Sequence, residues 1–167
     1  ILGNRYFSDT ITVSATGANE VAVDAGGGSL NVTVEQEEDS PMEGVKVYLF
    51  SQSGAYLGVS GVSDVSGLVT FDVPQGVYKV RADYLGYRFW SEDITVDQDT
   101  SHCLVIAHQE VKITVRAVYD GGTWALEGVK VYLFSPTGSY LGRNGKTDSS
   151  GNVTFNLPQK EYRVRVD

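Results

Sequence analysis

The chain has 167 residues, 41% of them hydrophobic, with 19 glycines, ten tyrosines and only four prolines, which suits one packed, turn-rich domain or two small ones. Its formal net charge of −8, from 13 Lys and Arg against 21 Asp and Glu, argues against nucleic acid and against an anionic membrane surface, both of which need clustered basic side chains. No apolar run approaches the length that spans a bilayer, so no membrane insertion is expected.

Short alternating runs of β-branched and aromatic residues, divided by Gly, Ser, Asp and Pro turns, predict strands in chain order. The first set falls near Leu30–Glu35, Val45–Phe50, Tyr56–Val62, Leu68–Val73, Val77–Tyr84, Arg88–Val96 with room for a turn inside it, and Cys103–Ala107. A second set follows near Val111–Ala117, Val129–Phe134, Tyr140–Lys146, Val153–Leu157 and Tyr162–Val166. No helical periodicity persists. The expected fold is all-β: two tandem seven-stranded, immunoglobulin-like or transthyretin-like sandwiches, the second lacking its last two strands in its own sequence order.

The two sets are copies of one module. Glu43–Asp83 aligns without a gap to Glu127–Asp167, with 26 of 41 positions identical. After Asp83 the first copy continues as YLGYRFWSEDITV, Tyr84–Val96, and that continuation aligns instead with ILGNRYFSDTITV at Ile1–Val13. The sequence is thus circularly permuted relative to its own repeat. The expected organisation is a donor segment at 1–25, a first module at 26–109 and a second, incomplete module at 110–167.

Alternation identifies the faces. Val45, Val47 and Leu49 share a core face in the first copy, as do Val69, Phe71 and Val73, and Tyr78, Val80 and Ala82. In the second copy Val129, Val131, Leu133, Val153, Phe155, Tyr162, Val164 and Val166 are the corresponding acceptor positions. The donor positions are Leu2, Tyr6, Phe7, Ile11, Val13, Val21 and Val23. An open sandwich exposes an apolar groove and unpaired strand edges, and an added strand satisfies both. Burying about six large apolar side chains at roughly 1.5–3 kcal/mol each contributes on the order of 10 kcal/mol before ordering costs. The groove and the donor segment lie at opposite ends of tandem modules, roughly 40 Å apart for strands of about 20 Å, so addition to another chain is expected over closure on itself. Such heterologous contacts grow into filaments. The chain is expected to be the structural subunit of an extracellular pilus-like fibre whose partner is itself. A stretch of a longer covalent stalk, an adhesin module binding glycans, and an accessory domain of a larger surface enzyme remain the alternatives.

The module resembles the carboxypeptidase regulatory-like, transthyretin-like β-sandwich repeats of bacterial surface proteins. GVKVYLF at 44–50, SDVSGLVTFDVP at 63–74 and YKVRADYLG at 78–86 carry the resemblance, with GVKVYLF at 128–134, TDSSGNVTFNLP at 147–158 and YRVRVD at 162–167 in the second copy. The resemblance implies a non-catalytic extracellular stalk or adhesive repeat. Related pilin modules carry a Lys–Asn or Lys–Asp isopeptide bond beside a Glu. Lys46 and Lys130 lie on a suitable strand but point away from the core face, and Asp93 is replaced by Thr10 in the other copy, so no cross-link is expected.

Other signals have plainer readings. The Asp-x-Ser-Gly turns at Asp64–Gly67 and Asp148–Gly151 offer too few oxygens for calcium and read as Asp-capped turns. Asp97, Asp99 and the Glu35, Glu37, Glu38, Asp39 cluster read as solvated loops. His102 and His108 are too far apart along a strand to hold one metal. The single Cys103 fixes no redox compartment and is expected to be a small buried hydrophobe. No catalytic residue, metal or cofactor is assigned. Trp90, Trp124, Tyr48 and Tyr56 suit packing better than a sugar platform. Asn31 and Asn152 match the glycosylation sequon. The first residues lack the basic and apolar regions of a signal peptide, so the chain is expected to be cytosolic, processed or part of something longer.

Overall fold

A computed structural model of the chain describes residues 10–17, 19–21, 23 and 26–167, and every regular element among them is a strand. Leu2, Tyr6 and Phe7 lie outside the described residues. In the first repeat the strands are β1 (Gly27–Glu37), β2 (Ser40–Pro41), β3 (Lys46–Ser51), β4 (Tyr56–Val62), β5 (Leu68–Pro74), β6 (Gly76–Tyr84), β7 (Tyr87–Trp90), β8 (Ile94–Val96) and β9 (Thr100–Val105). In the second they are β10 (His108–Thr114), β11 (Arg116–Tyr119), β12 (Gly122–Ala125), β13 (Lys130–Phe134), β14 (Tyr140–Lys146), β15 (Asn152–Pro158) and β16 (Arg163–Val166). The chain clusters into two compact units. One comprises Ile1–Val34, Pro41–Ala82 and Phe89–Leu104; the other comprises Glu35–Ser40, Asp83–Arg88 and Val105–Asp167.

The first repeat is a two-sheet sandwich. One sheet has the order β2-β1-β5, with β9 also on β1; the other has the order β4-β3-β6-β7, with β8 also on β6. The inward rows are those that alternation marks: Leu30, Val32 and Val34; Val47 and Leu49; Val69, Phe71 and Val73; Tyr78, Val80 and Ala82 are all buried. Gly61 shows how closely the sheets approach. A Cβ there would meet Val69 Cγ1 at 2.5 Å, and Gly145 stands in the same relation to Val153 Cγ2 at 2.7 Å.

Nine strands, rather than seven, make up the first repeat. The expected Arg88–Val96 strand is broken into β7 and β8 at Ser91, whose hydroxyl accepts from the Val80 N–H at 2.9 Å and donates to the Glu92 carbonyl at 2.7 Å. In the second repeat the expected Val111–Ala117 strand divides at Val115, and the β11–β12 hairpin was not anticipated. Cys103 is exposed, not buried, because it alternates with buried Leu104 and so faces outward.

Turn chemistry repeats between copies. The Asp64 carboxylate accepts from the Ser66 and Leu68 N–H groups at 2.8 and 2.9 Å, and Asp148 caps Ser150 and Asn152 at 2.8 and 2.9 Å. These carboxylates close their own turns, with Gly67 and Gly151 at φ 73° and 74°. A buried hydroxyl ties each repeat together. Ser63 Oγ donates to the Met42 carbonyl at 2.6 Å and accepts from the Val45 N–H at 2.9 Å. Thr147 does the same between the Leu126 carbonyl and the Val129 N–H.

Ser63→Ala strands a buried N–H and a buried carbonyl and is expected to cost about 1–3 kcal/mol, while Ser63→Thr retains the bonds. Denaturant titration of both variants checks this; equal losses would show that the hydroxyl is not what holds this corner.

Candidate functional site

The repeat supplies an internal control, since identical strand patterns sit in different surroundings. In the first repeat the outer edge of β6 is occupied. The Ser91 N–H donates to the Val80 carbonyl at 3.0 Å, and β8 pairs antiparallel with β6 in the register Gly76↔Val96, Val77↔Thr95 and Tyr78↔Ile94. On the facing sheet β9 pairs with β1. Ile94, Val96, Leu104 and Ile106 bring four more apolar side chains under cover, and all four are buried.

In the second repeat β16 corresponds to β6, β13 to β3, β15 to β5 and β10 to β1. Among the described strands, β16 pairs only with β13 and β10 only with β15. No described strand corresponds to β7, β8 or β9, so three strands rather than two lack counterparts. The side chains register this directly. Val80 and Ala82 are 0% exposed, whereas Val164 and Val166, at the same positions, are 46% and 47% exposed. Val153, Phe155, Tyr162 and Val129 are half-buried where Val69, Phe71, Tyr78 and Val45 are buried. Val131 and Leu133 stay buried, held between β14 and β16. Sequence reasoning placed the acceptor residues on β13, β15 and β16 and missed β10. The matching registers Leu30↔Phe71 and Val111↔Phe155 make Val111 the counterpart of Leu30, and Val111 is exposed while Leu30 is buried. The alternation Val111, Ile113, Val115 carried that signal.

The residues expected to act as donors are uncovered as well. The gapless alignment extends through 1–23 against 84–106, which matches Ile11, Val13, Val21 and Val23 to the buried Ile94, Val96, Leu104 and Ile106. Ile11 and Val13 are 53% and 74% exposed, Val21 and Val23 are also exposed, and none of the four lies in a strand. Between them the chain turns on a reciprocal pair of bonds: the Ser14 N–H donates to Asn19 Oδ1 at 2.8 Å, and Asn19 Nδ2 donates to the Ser14 carbonyl at 3.0 Å.

One end of the groove departs from the first repeat. Gly27 and Gly28 of β1, where a Cβ would meet the Val73 carbonyl and the Gln98 backbone, correspond in register to His108 and Gln109. The approach that the β8–β9 turn makes in the first repeat is closed to any side chain there.

The remaining sequence candidates are accounted for by their neighbours. Lys79 Nζ lies 3.3 Å from Asp93 Oδ1, and Asp93 also accepts from Gln52 at 2.9 Å; these hydrogen bonds, Gln52 first, hold its carboxyl below the usual range. Asn31 Oδ1 accepts from Thr70, and Asn152 Oδ1 from Thr114, both at 2.8 Å across paired strands. Tyr48, Phe50, Tyr56 and Trp90 pack on one another, while Trp124 stacks on Tyr119 with centroids 4.0 Å apart. Burial lowers the His102 pKa. Among the described residues no group of His, Cys, Asp and Glu could hold a metal ion, and no helix is long and apolar enough to cross a membrane.

Burial, reinforced by Tyr87 and Tyr84, pushes the Tyr162 hydroxyl up to about 12 from an ordinary value near 10. A phenol raised in the folded state contributes stability that is complete below pH about 10 and lost as pH rises through about 12. Denaturation midpoints over this range are expected to fall for the parent and to flatten for Tyr162→Phe; parallel curves would exclude the effect. Val80→Ser is expected to cost the monomer about 2 kcal/mol and Val164→Ser under about 0.5 kcal/mol, read by urea titration at low protein concentration. Equal costs would mean that Val164 is covered in solution.

Residues 29–108, the stretch that forms the first repeat, match the model of the carboxypeptidase regulatory-like domain. No curated protein sequence matches the chain. Among solved structures, the TIE protein of Bacillus anthracis is similar over 84% of this chain at 20% identity, with a TM-score of 0.41. The chain spans 28% of that protein's length. A minor pilin of Streptococcus agalactiae is similar over 82% of each chain at 16% identity, with a TM-score of 0.48. A DUF3823 family protein of Parabacteroides merdae is similar over 86% of this chain and 92% of its own, at 12% identity and a TM-score of 0.44.

Proposed function

We propose that this chain is the structural subunit of an extracellular, pilus-like filament, in which residues 1–25 of each copy complete the second module, 110–167, of the next. The observation that carries this reading is the burial contrast between repeats: Val80 and Ala82 are covered, and Val164 and Val166 are exposed. The exposed Ile11, Val13, Val21 and Val23 supply the apolar side chains whose counterparts cover that face in the first repeat. Such addition extends a sheet by backbone bonding and fills side-chain pockets. The role is cohesive and needs no catalytic group, cofactor or metal, and an extracellular setting accords with the surface-protein repeats that the module resembles.

Charge favours the same pairing. Residues 1–25 carry one basic and three acidic side chains, and 110–167 carry eight basic and six acidic ones. The stretch 26–109 has four basic and twelve acidic side chains. A donor of net −2 is attracted to the second module and repelled by the first, which steers association head to tail.

Pairing of the donor with β16 as β8 pairs with β6 supplies a register for the joint. Val77↔Thr95 becomes Glu161↔Thr12, and Tyr78↔Ile94 becomes Tyr162↔Ile11. Directly opposed antiparallel residues lie about 4.5–5.5 Å apart at Cα, within disulfide reach. In a Cys103→Ser background, Thr12→Cys with Glu161→Cys is expected to give an oxidation-dependent ladder of intermolecular multimers on a denaturing gel. Deletion of 1–25 is expected to abolish assembly. Oxidised monomer without a ladder would sink the head-to-tail reading. The second reading, a stretch of a longer covalent array, has the same permuted alignment in its favour, and native material that remains far larger than one chain after denaturation would select it.

A further inference from the structure

The first repeat contains a cation–aromatic cluster that the second reproduces only in part. Arg81, on β6, lies over the rings of Tyr48 at 4.6 Å, Phe50 at 5.2 Å and Trp90 at 5.6 Å from their centroids. Phe50 and Trp90 themselves pack with centroids 4.6 Å apart. Two of these rings come from β3 and the third, Trp90, comes from β7. In the second repeat Arg165 lies over Tyr132 at 4.8 Å and Phe134 at 5.3 Å, reproducing the β3 half of the cluster. Its guanidinium edge is engaged by Asp167 Oδ2 at 2.7 Å, which leaves the flat face to the rings. At the place corresponding to Trp90 there is a groove of about 290 Å³, lined by Phe134, Gly138, Arg163, Val164 and Arg165.

We propose that this groove is the anchor pocket of the subunit joint and that it takes the Phe7 side chain of a second copy, with the Arg165 guanidinium over the ring. The proposal rests on the strand-donation reading and names the contact that fixes it. Phe7 is the residue that the gapless alignment of 1–23 with 84–106 matches to Trp90. The position calls for a flat apolar ring, because a planar cation and an aromatic neighbour already border it. The donor brings no substitute from charge at the neighbouring position. The Lys79–Asp93 ion pair of the first repeat becomes Arg163 and Thr10, so the donor supplies no counterpart of that ion pair across the joint.

The test uses the full-length chain and two independent readouts: the concentration dependence of assembly by light scattering, and the Thr12→Cys, Glu161→Cys ladder. Phe7→Ala is expected to raise the concentration needed for assembly by about tenfold or more, as for an interface anchor. Phe7→Trp, which restores the ring found in the first repeat, is expected to lower it. Arg165→Gln is expected to weaken assembly and to remove most of the advantage of Trp over Ala at position 7. Thermal unfolding of the monomer controls for loss of the second unit's fold. A ladder that forms normally while Phe7→Ala and Phe7→Trp assemble like the parent would overturn the anchor and leave the joint standing. Effects of positions 7 and 165 that simply add would also overturn it, since residues in contact do not act independently. No ladder in any variant would remove the joint and the anchor together.

Discussion

A β-strand that is apolar on one face is stable only where something covers that face, and a strand edge is quiet only where something pairs with it. Everything in this molecule follows from how that double requirement is met in one repeat and left open in the other. The sequence VYLF occurs at 47–50 and again at 131–134, and VTF at 69–71 and again at 153–155. Val131 and Leu133 stay buried like Val47 and Leu49, but Val153 and Phe155 are only half-buried where the identical Val69 and Phe71 are fully covered. The difference lies in β7, β8 and β9, which bring Ile94, Val96 and Leu104 across the first sandwich and bond the outer edges of β6 and β1.

The exposure in the second unit is not a sign of a poorly formed module. Its Asp148 turn, its Thr147 hydroxyl bridge, the tyrosine bond from Tyr162 to the Pro158 carbonyl and the bulge between Tyr132 and Phe134 reproduce those of Asp64, Ser63, Tyr78 and β3. Local chemistry is satisfied; only the covering layer differs. The first repeat thus serves as the template from which the proposed completion of the second takes its register and its ring beside a guanidinium.

Much of this was legible from residue order because the signals are local. Period-two alternation in β3, β5 and β6 located the core, and Asp-x-Ser-Gly located the capped turns. The permuted repeat is also what motivates the proposal that residues 1–25 complete a second module. What escaped notice depended on single side chains acting against their surroundings. Ser91 ends a strand by bonding the Val80 amide with its hydroxyl, which propensity alone does not reveal. Cys103 is apolar in type but outward in parity. The part played by β10 was hidden because its apolar row, Val111, Ile113 and Val115, lies outside the 41-residue match between copies that defined the acceptor positions, although β10 pairs with β15.

The side chains on either side of the two closures are not equal in size. Where the first repeat closes on itself with Trp90, Leu104 and Ile106, the donor segment offers Phe7, Val21 and Val23, and the salt-bridged Asp93 gives way to Thr10. Val166 in place of Ala82 returns only a part of that volume. In a strand-donated fibre the seam between copies would therefore bury less than the seam within each copy, and heat or denaturant would separate links before melting them. Such a fibre would come apart into intact, reusable pieces, with the order of failure written into a few methyl groups.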